Sequence, residues 1–359
     1  MFAKPLLPAT LAMATLIAPF IAVVSAVAPV AAQDVPPDRI AQILAMDPTE
    51  MARTGAWTTA AYDRLNGYMN SIQDPELRDF VLAMYEAPTS TVFDAIAEPD
   101  ALRTAPATGG PGHHHYPGGL AVHLVETIEI ALGWADTFEK VHGIQTTDRD
   151  LIIADLALHD WSKLWYNWDE TTGKVAKPEW FPVAWGGKDG IAKWGWMGEH
   201  GAVVYAELLK RGAPERLIFG AASAHFDPQW DIDITDAEGR GQGLNPALQE
   251  AAALAGTDAP AIDPDRRRVE WFLSTYSDGD WSFSHYVAGK SAHKWIRAVA
   301  QDLGIDPDSP EAAKLAWFVL TRVSDFKLYK IYQDGGFSDA APKQVILAVL
   351  ADSTAYEVK

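Results

Sequence analysis

The sequence predicts an all-α protein. Apolar side chains recur at spacings of three and four residues, and alternation with a period of two does not extend over a useful length. Apolar residues make up 48% of the 359 residues and charged residues 21%, which allows a large core and argues against wholesale disorder. Start signals support the helical pattern, since Ser309-Pro310-Glu311 combines an N-cap, a proline at the first helical position and an acid in the first turn.

Each predicted helix is an apolar-periodic stretch bounded by glycine, proline or polar residues. In chain order the helices cover 37–46, 58–72, 75–85, 119–141, 148–160, 199–211, 215–225, 246–255, 266–276, 286–303, 310–332 and 341–351. The Gly- and Pro-rich stretch 107–112 predicts a boundary after an N-terminal helical segment. The segment 226–265 is rich in Asp, Gly and Pro, and it is predicted as a long loop that contains the helix at 246–255.

The N-terminal stretch has the pattern of a secretory signal peptide. Residues 1–33 carry one charge, Lys4, followed by a long apolar run that ends in small residues. We expect cleavage after Ala32, with Ala28 as the alternative site, and therefore a periplasmic or secreted protein. An uncleaved anchor is the competing interpretation, since the run is long enough to span a bilayer. No later segment is apolar enough to span a membrane.

Charge and cysteine content exclude several classes of function. Acidic residues outnumber basic ones by 48 to 29, giving a net charge of −19. Such a chain repels phosphate backbones, so we do not expect nucleic acid as a partner. The expected partner is a small-molecule substrate. The sequence contains no cysteine, which excludes disulfides, thiolate metal sites and cysteine nucleophiles. The oligomeric state is left open.

Histidine and aspartate carry the chemical signal. Four histidines lie in four separate predicted helices, mostly near helix ends, and one is followed directly by an aspartate: His123, His159-Asp160, His200 and His225. Neutral imidazole and carboxylate together suit Fe, Mn, Zn, Ni or Co. Any one of these histidines could instead be a hydrogen-bonded core residue, so the ordered set carries more weight than its members.

This ordered set resembles the HD-domain metal-dependent phosphohydrolases. The stretch 113–123 looks like the opening of that family, and 157–163, Ala-Leu-His-Asp-Trp-Ser-Lys, resembles its Leu-His-Asp-x-Gly-Lys signature with Ser162 in place of glycine. The resemblance implies an HD-type helical bundle. It also implies that His123, His159 and Asp160 bind one divalent ion, and that His200 and His225 bind a second ion with Asp160 bridging.

The resemblance also implies a final aspartate ligand on a later helix. We predict Asp325, because it lies on an apolar helix with lysines two and five residues further on, as in the last helix of the family. Asp278 is the competitor, but the Asp278-Gly279-Asp280 stretch reads as an ordinary turn that ends a helix. Choosing Asp325 requires a long insertion before the last ligand.

A two-metal site of this kind activates water for in-line attack on phosphorus, with no need for a protein nucleophile. Lys163 could neutralise a phosphoryl oxygen, and its alternative role is a surface salt bridge. One of His113, His114 and His115 could contact substrate or protonate the leaving group, and we select His114; the alternative is a solvated loop. The predicted activity is a phosphomonoesterase or phosphodiesterase acting on a small phosphorylated or nucleotide-like substrate.

Two other classes stay open. The same fold hosts di-iron oxygenases resembling myo-inositol oxygenase, whose ligand types and order are the same. The second class is a catalytically silent binding protein, in which a block of aromatic residues would form the wall of a ligand site. The alternative role of this aromatic block is hydrophobic packing. The block comprises Trp161, Trp165, Tyr166, Trp168, Trp180, Trp185, Trp194 and Trp196.

The predicted organisation has four parts. These are a signal peptide at 1–32, an N-terminal helical segment at 33–112, an HD domain at 113–335 with a loop-rich insertion at about 226–310, and a C-terminal helix at 336–359.

Overall fold

Helices dominate the architecture, as the sequence predicts. The computed structural model describes residues 35–86, 88–110, 112–144, 147–181, 198–225, 244–261, 263 and 266–352. The predicted signal peptide lies outside the described residues, as do Trp185, Trp194 and Trp196 of the aromatic block. Among the described helices, none is long and apolar enough to cross a membrane.

The N-terminal segment forms five helices, the last a single turn, and a short hairpin before the central bundle. They are α1 (Pro37–Ala45), α2 (Pro48–Thr54), α3 (Ala56–Ser71), α4 (Pro75–Glu86), β1 (Thr89–Ser90), β2 (Ala95–Ile96) and the single turn α5 (Ala101–Thr104). Helix α2 was not predicted, although Asp47 caps it by accepting a hydrogen bond from the backbone N–H of Glu50 at 2.7 Å. The strands β1 and β2 pair antiparallel, with Thr89 opposite Ile96.

The central bundle contains the helices that carry the predicted ligands. They are α6 (Gly119–His142), α7 (Arg149–Leu158), a 3₁₀ helix (Trp161–Trp165), α8 (Gly198–Lys210), α9 (Glu215–Ser223), α10 (Leu244–Ala255) and α11 (Val269–Asp278). A hairpin of β3 (Asn167–Asp169) and β4 (Lys174–Ala176) follows the 3₁₀ helix. Gly118, with φ of +83°, supplies the left-handed turn from which α6 starts. Helix α11 packs on both α6 and α7, and α3 packs on α6.

The C-terminal part corrects one predicted helix. It contains α12 (Trp281–Phe283), a π-helix (Ser284–Gly289), α13 (Lys290–Asp302), α14 (Pro310–Leu320), α15 (Asp325–Asp334) and α16 (Ala340–Ala351). The single helix predicted over 310–332 is wrong, because the chain breaks after Leu320. Ser324 then caps a new helix by accepting a hydrogen bond from the backbone N–H of Lys327 at 3.1 Å.

The core joins the N-terminal segment to the bundle. Leu65 and Met69 of α3 belong to the same buried cluster as Leu120 of α6 and Leu158 of α7. Trp161, Trp165 and Trp180 of the aromatic block pack here too. Trp161 is fully buried, and its indole N–H donates to the carbonyl of Met84 at 2.8 Å. For this part of the block, hydrophobic packing is therefore the role that the structure supports.

One buried acid inside this bundle has no hydrogen-bond partner among the described residues. Asp155 of α7 is fully buried, neither of its oxygens accepts a hydrogen bond, and its carboxyl group lies against Gly220 of α9. Burial, reinforced by Glu270 and Asp148, raises the pKa of Asp155 well above its ordinary value. A raised pKa in the folded state stabilises the fold at low pH, and this contribution is lost as the pH rises through the folded pKa.

Replacing Asp155 with asparagine should therefore raise the midpoint of thermal unfolding at about pH 8 and weaken its fall between about pH 5 and pH 8. Asparagine has the same shape and cannot ionise. The expected gain is about 2–4 °C for each kcal/mol recovered. Melting curves across this pH range measure it, with Asp63→Asn on the exposed side of α3 as the control. Parallel curves for wild type and Asp155→Asn would contradict the prediction.

Candidate metal centre

Four parts of the bundle bring the predicted histidines and Asp160 together. His123 lies in the second turn of α6, His159-Asp160 directly follows α7, His200 lies in the first turn of α8, and His225 follows the end of α9. His123, His159 and Asp160 are almost completely buried. The nitrogen and oxygen atoms of these residues form two groups of potential ligands that share Asp160.

The first group is compact. The Nε2 atoms of His123 and His159 lie 3.3 Å apart, and Asp160 Oδ2 is 3.3 Å from the former and 3.5 Å from the latter. Asp278 Oδ1 completes the group at 3.1 Å from His123 Nε2 and 3.4 Å from His159 Nε2. Ligand bonds of about 2.0–2.2 Å around one ion leave neighbouring donors at separations of this size, so the four atoms fit a single divalent ion.

A backbone contact fixes the orientation of His159. Its Nδ1 faces the carbonyl of Leu156 at 2.8 Å, so Nδ1 carries the proton and donates it there. In the neutral ring, Nε2 then presents a lone pair toward His123 and the carboxylates. An imidazole held in this way by its second nitrogen is the usual arrangement of a metal-binding histidine.

The second group lies on the other side of Asp160. The Nε2 atoms of His200 and His225 are 3.1 Å apart, and each is 3.6 Å from Asp160 Oδ1. The Nδ1 atom of His225 hydrogen-bonds to the hydroxyl of Tyr205, a fully buried residue of α8. This contact orients His225 as the Leu156 carbonyl orients His159.

Asp160 faces both groups with different oxygens, and its charge is retained. Lys163 Nζ lies 2.5 Å from Oδ2, whereas Oδ1 has no hydrogen-bond partner. Burial would raise the pKa of Asp160, but Lys163 and the neighbouring histidines hold it well below its ordinary value. Burial would likewise lower the pKa of His123, yet contact with Asp160 and Asp278 raises it to about 10. These shifts show carboxylates and imidazoles concentrated at one point.

The structure places Asp278, and not Asp325, beside the first group of histidines. Asp278, the last residue of α11, contacts His123 and His159, because α11 packs directly on α6 and α7. Asp325 is buried at the start of α15 and makes no ion pair with the histidines of either group among the described residues. The carboxylate that lies beside this histidine group therefore comes from the Asp-Gly-Asp turn, and which aspartate binds metal stays a prediction.

Two of the alternative roles given above do not fit the structure for Lys163, His114 and His115. Lys163 is 7% exposed and forms a buried ion pair with Asp160, not a surface salt bridge. His114 and His115 are buried, so they do not lie in a solvated loop. His115 faces the carbonyl of Thr108 at 3.2 Å, away from the ligand groups. The catalytic roles predicted for Lys163 and His114 stay predictions.

A third group of potential ligands was missed from the sequence. His114, Glu126 and Asp280 place ligand atoms within 4.8 Å of one another. The positions held a signal, since Glu126 lies one helical turn after His123 and Asp280 follows Asp278 by two residues. Burial raises the pKa of Asp280 to about 7 and that of Asp325, close by, to about 6.

Comparison with known proteins finds a phosphodiesterase that is similar in sequence to this chain. The chain is 31% identical, over 165 residues, to dihydroneopterin 2′,3′-cyclic phosphate phosphodiesterase of Methanocaldococcus jannaschii. The aligned part is 46% of this chain and 59% of that protein, so the match spans about three fifths of the relative. No protein-family model matches the chain, and no solved structure matches it significantly.

Proposed function

We propose that this protein is a metal-dependent phosphodiesterase of the HD superfamily that hydrolyses a small phosphate ester. The position of Asp160 carries the proposal: one oxygen faces His123 and His159, and the other faces the pair His200 and His225. A carboxylate shared in this way suits two neighbouring divalent ions. The similarity to a cyclic phosphate phosphodiesterase supports the same chemistry.

The residues of the chain have distinct tasks in this proposal. His123, His159, Asp160 and Asp278 would hold one ion, and His200 and His225 would hold a second ion with Asp160. Divalent ions bound there would withdraw charge from phosphoryl oxygens and lower the pKa of a water molecule. Lys163 keeps the Asp160 carboxylate charged, and Leu156 and Tyr205 orient the rings of His159 and His225.

The proposed substrate class is a small cyclic phosphate. Hydrolysis adds water across one P–O ester bond, so the phosphate becomes a monoester and the released oxygen takes up a proton. The net charge of −19 agrees with a compact substrate more than with a nucleic acid. A heterocycle with a 2′,3′-cyclic phosphate, as in the name of the relative, is the first candidate. Export, inferred from residues 1–32, stays a prediction.

A substrate panel tests the activity. Purified protein loaded with Fe²⁺, Mn²⁺ or Zn²⁺ should hydrolyse 2′,3′-cyclic phosphates to monoesters, measured by phosphorus NMR. Chelation should abolish turnover, and adding back one of these metals should restore it. Oxygen uptake is recorded in the same samples with myo-inositol as substrate. Oxygen consumption without phosphate ester cleavage would favour the di-iron oxygenase, and neither activity would favour the binding protein.

A further inference from the structure

A partly buried cluster next to the proposed metal pair is not used by the proposed function. It consists of His114, Glu126 and Asp280. His114 Nε2 lies 3.0 Å from Glu126 Oε2, and the other ring nitrogen lies 3.1 Å from the hydroxyl of Tyr116. The backbone of His114 has a φ of +48°, a left-handed conformation that is strained for a residue other than glycine. Such strain persists where the surrounding structure needs the side chain in place.

One acid in this cluster lacks a compensating donor. Among the described residues, neither oxygen of Asp280 accepts a hydrogen bond, although its side chain is only 9% exposed. The Glu126 carboxylate lies in the same group, and the charge on His114 can balance only one of the two acids. A carboxylate that is nine-tenths buried and has no hydrogen bond is costly, so Asp280 requires either a proton shared with Glu126 or a cation.

A cavity beside the cluster offers a route for an ion, and a further acid in its wall, Asp325, can add negative charge. It has a volume of about 400 Å³, and His114, Glu126 and Asp325 contribute to its wall. Asp325 is 1% exposed, and its Oδ2 atom has no hydrogen-bond partner in the described part of the chain. On the same wall Arg64 is already paired with Glu129, so it does not neutralise Asp325.

We propose that His114, Glu126 and Asp280 form a third cation site, separate from the metal pair and reached through this cavity. One imidazole and two carboxylates suit Mn²⁺, Fe²⁺ or Zn²⁺, with water in the remaining positions. The site lies on the Nδ1 side of the His123 ring, where Nδ1 is 3.9 Å from Asp280 Oδ1. The Nε2 atom on the other side of the ring faces the metal pair. This inference rests on the proposed function in one respect: the expected number of ions per chain includes the two ions of the metal pair.

Metal counting tests the site. The full-length purified protein is loaded with Mn²⁺, freed of excess metal and analysed by plasma mass spectrometry, with Mn²⁺ EPR titration as a second measurement. We expect three ions per chain in wild type and two in both Glu126→Gln and Asp280→Asn. Glu129→Gln is the matched control, because Glu129 lines the same cavity one turn further along α6 and lies outside the cluster. It should retain three ions.

The outcomes separate this inference from the proposed function. Two ions in wild type, unchanged in Glu126→Gln, would mean that the acids share a proton and would overturn the third site while leaving the metal pair intact. Loss of every ion in Glu126→Gln, with Glu129→Gln unaffected, would also overturn it, since the cluster would then not be a separate site. A wild-type protein that binds no ion would remove both proposals.

Discussion

Replacing Asp160 with asparagine should remove the metal pair and reduce turnover by more than about 100-fold. Asp160 is the one residue that belongs to both the His123–His159 group and the His200–His225 group. Mutation of a residue that only supports a metal ligand typically reduces metal affinity or activity by about 10–100-fold. Asp160 would contact both ions directly, so its replacement should have a larger effect. Metal content and cleavage of a cyclic phosphate substrate, measured on the same preparation, give the result.

The ion pair with Lys163 requires a second variant. Asp160→Asn leaves a buried ammonium group without its partner, which can cost about 3–5 kcal/mol of stability by itself. The double variant Asp160→Asn, Lys163→Met removes both charges and should unfold closer to wild type while still lacking the metal pair. Asp155→Asn, on the preceding helix, is the control that should keep both metal and activity. Retention of the metal pair by the double variant would contradict the assignment of Asp160.

Local signals in the sequence were sufficient for most helices and for the histidines. Ser309-Pro310 starts α14 as predicted, with the Ser309 side chain accepting a hydrogen bond from the backbone N–H of Ala312 at 3.3 Å. The order of His123, His159-Asp160, His200 and His225 was enough to predict that they meet, and the structure brings them together. The helix signals depend on residues that are adjacent in sequence, and the prediction of the histidine groups depends on an ordered set of motifs.

The final carboxylate could not be chosen by the same reasoning. The choice of Asp325 treated 310–332 as one helix, on which Asp325 shares the buried face of Phe318. The break between Leu320 and Asp325 removes that relation. Asp278 has turn-like neighbours, and only the packing of α11 against α6 and α7 directs its side chain at His123. Such packing depends on contacts between residues more than a hundred positions apart, which periodicity does not report.

Replacing Asp278 should therefore have a much larger effect than replacing Asp325. In Asp278→Asn the first metal centre loses a charged oxygen that lies 3.1 Å from His123 Nε2 and 3.4 Å from His159 Nε2. We expect this variant to lose at least one ion and more than about 100-fold in turnover, since the loss of a direct ligand should exceed the effect of a supporting residue. Asp278→Glu should recover part of the metal, because it restores the charge on a longer side chain.

Asp325→Asn is the matched comparison, since both aspartates are buried and the substitution is the same. Asp325 lies beside His114 and Glu126, and its neutral replacement removes a carboxyl group whose pKa burial has already raised to about 6. The metal pair and turnover should stay within about twofold of wild type, because among the described residues Asp325 neither pairs with these histidines nor orients one of them. If Asp325→Asn loses metal while Asp278→Asn keeps its full complement, the carboxylate contributed by α11 is not a ligand, and the contacts of Asp278 with His123 and His159 are ion pairs of the folded core alone.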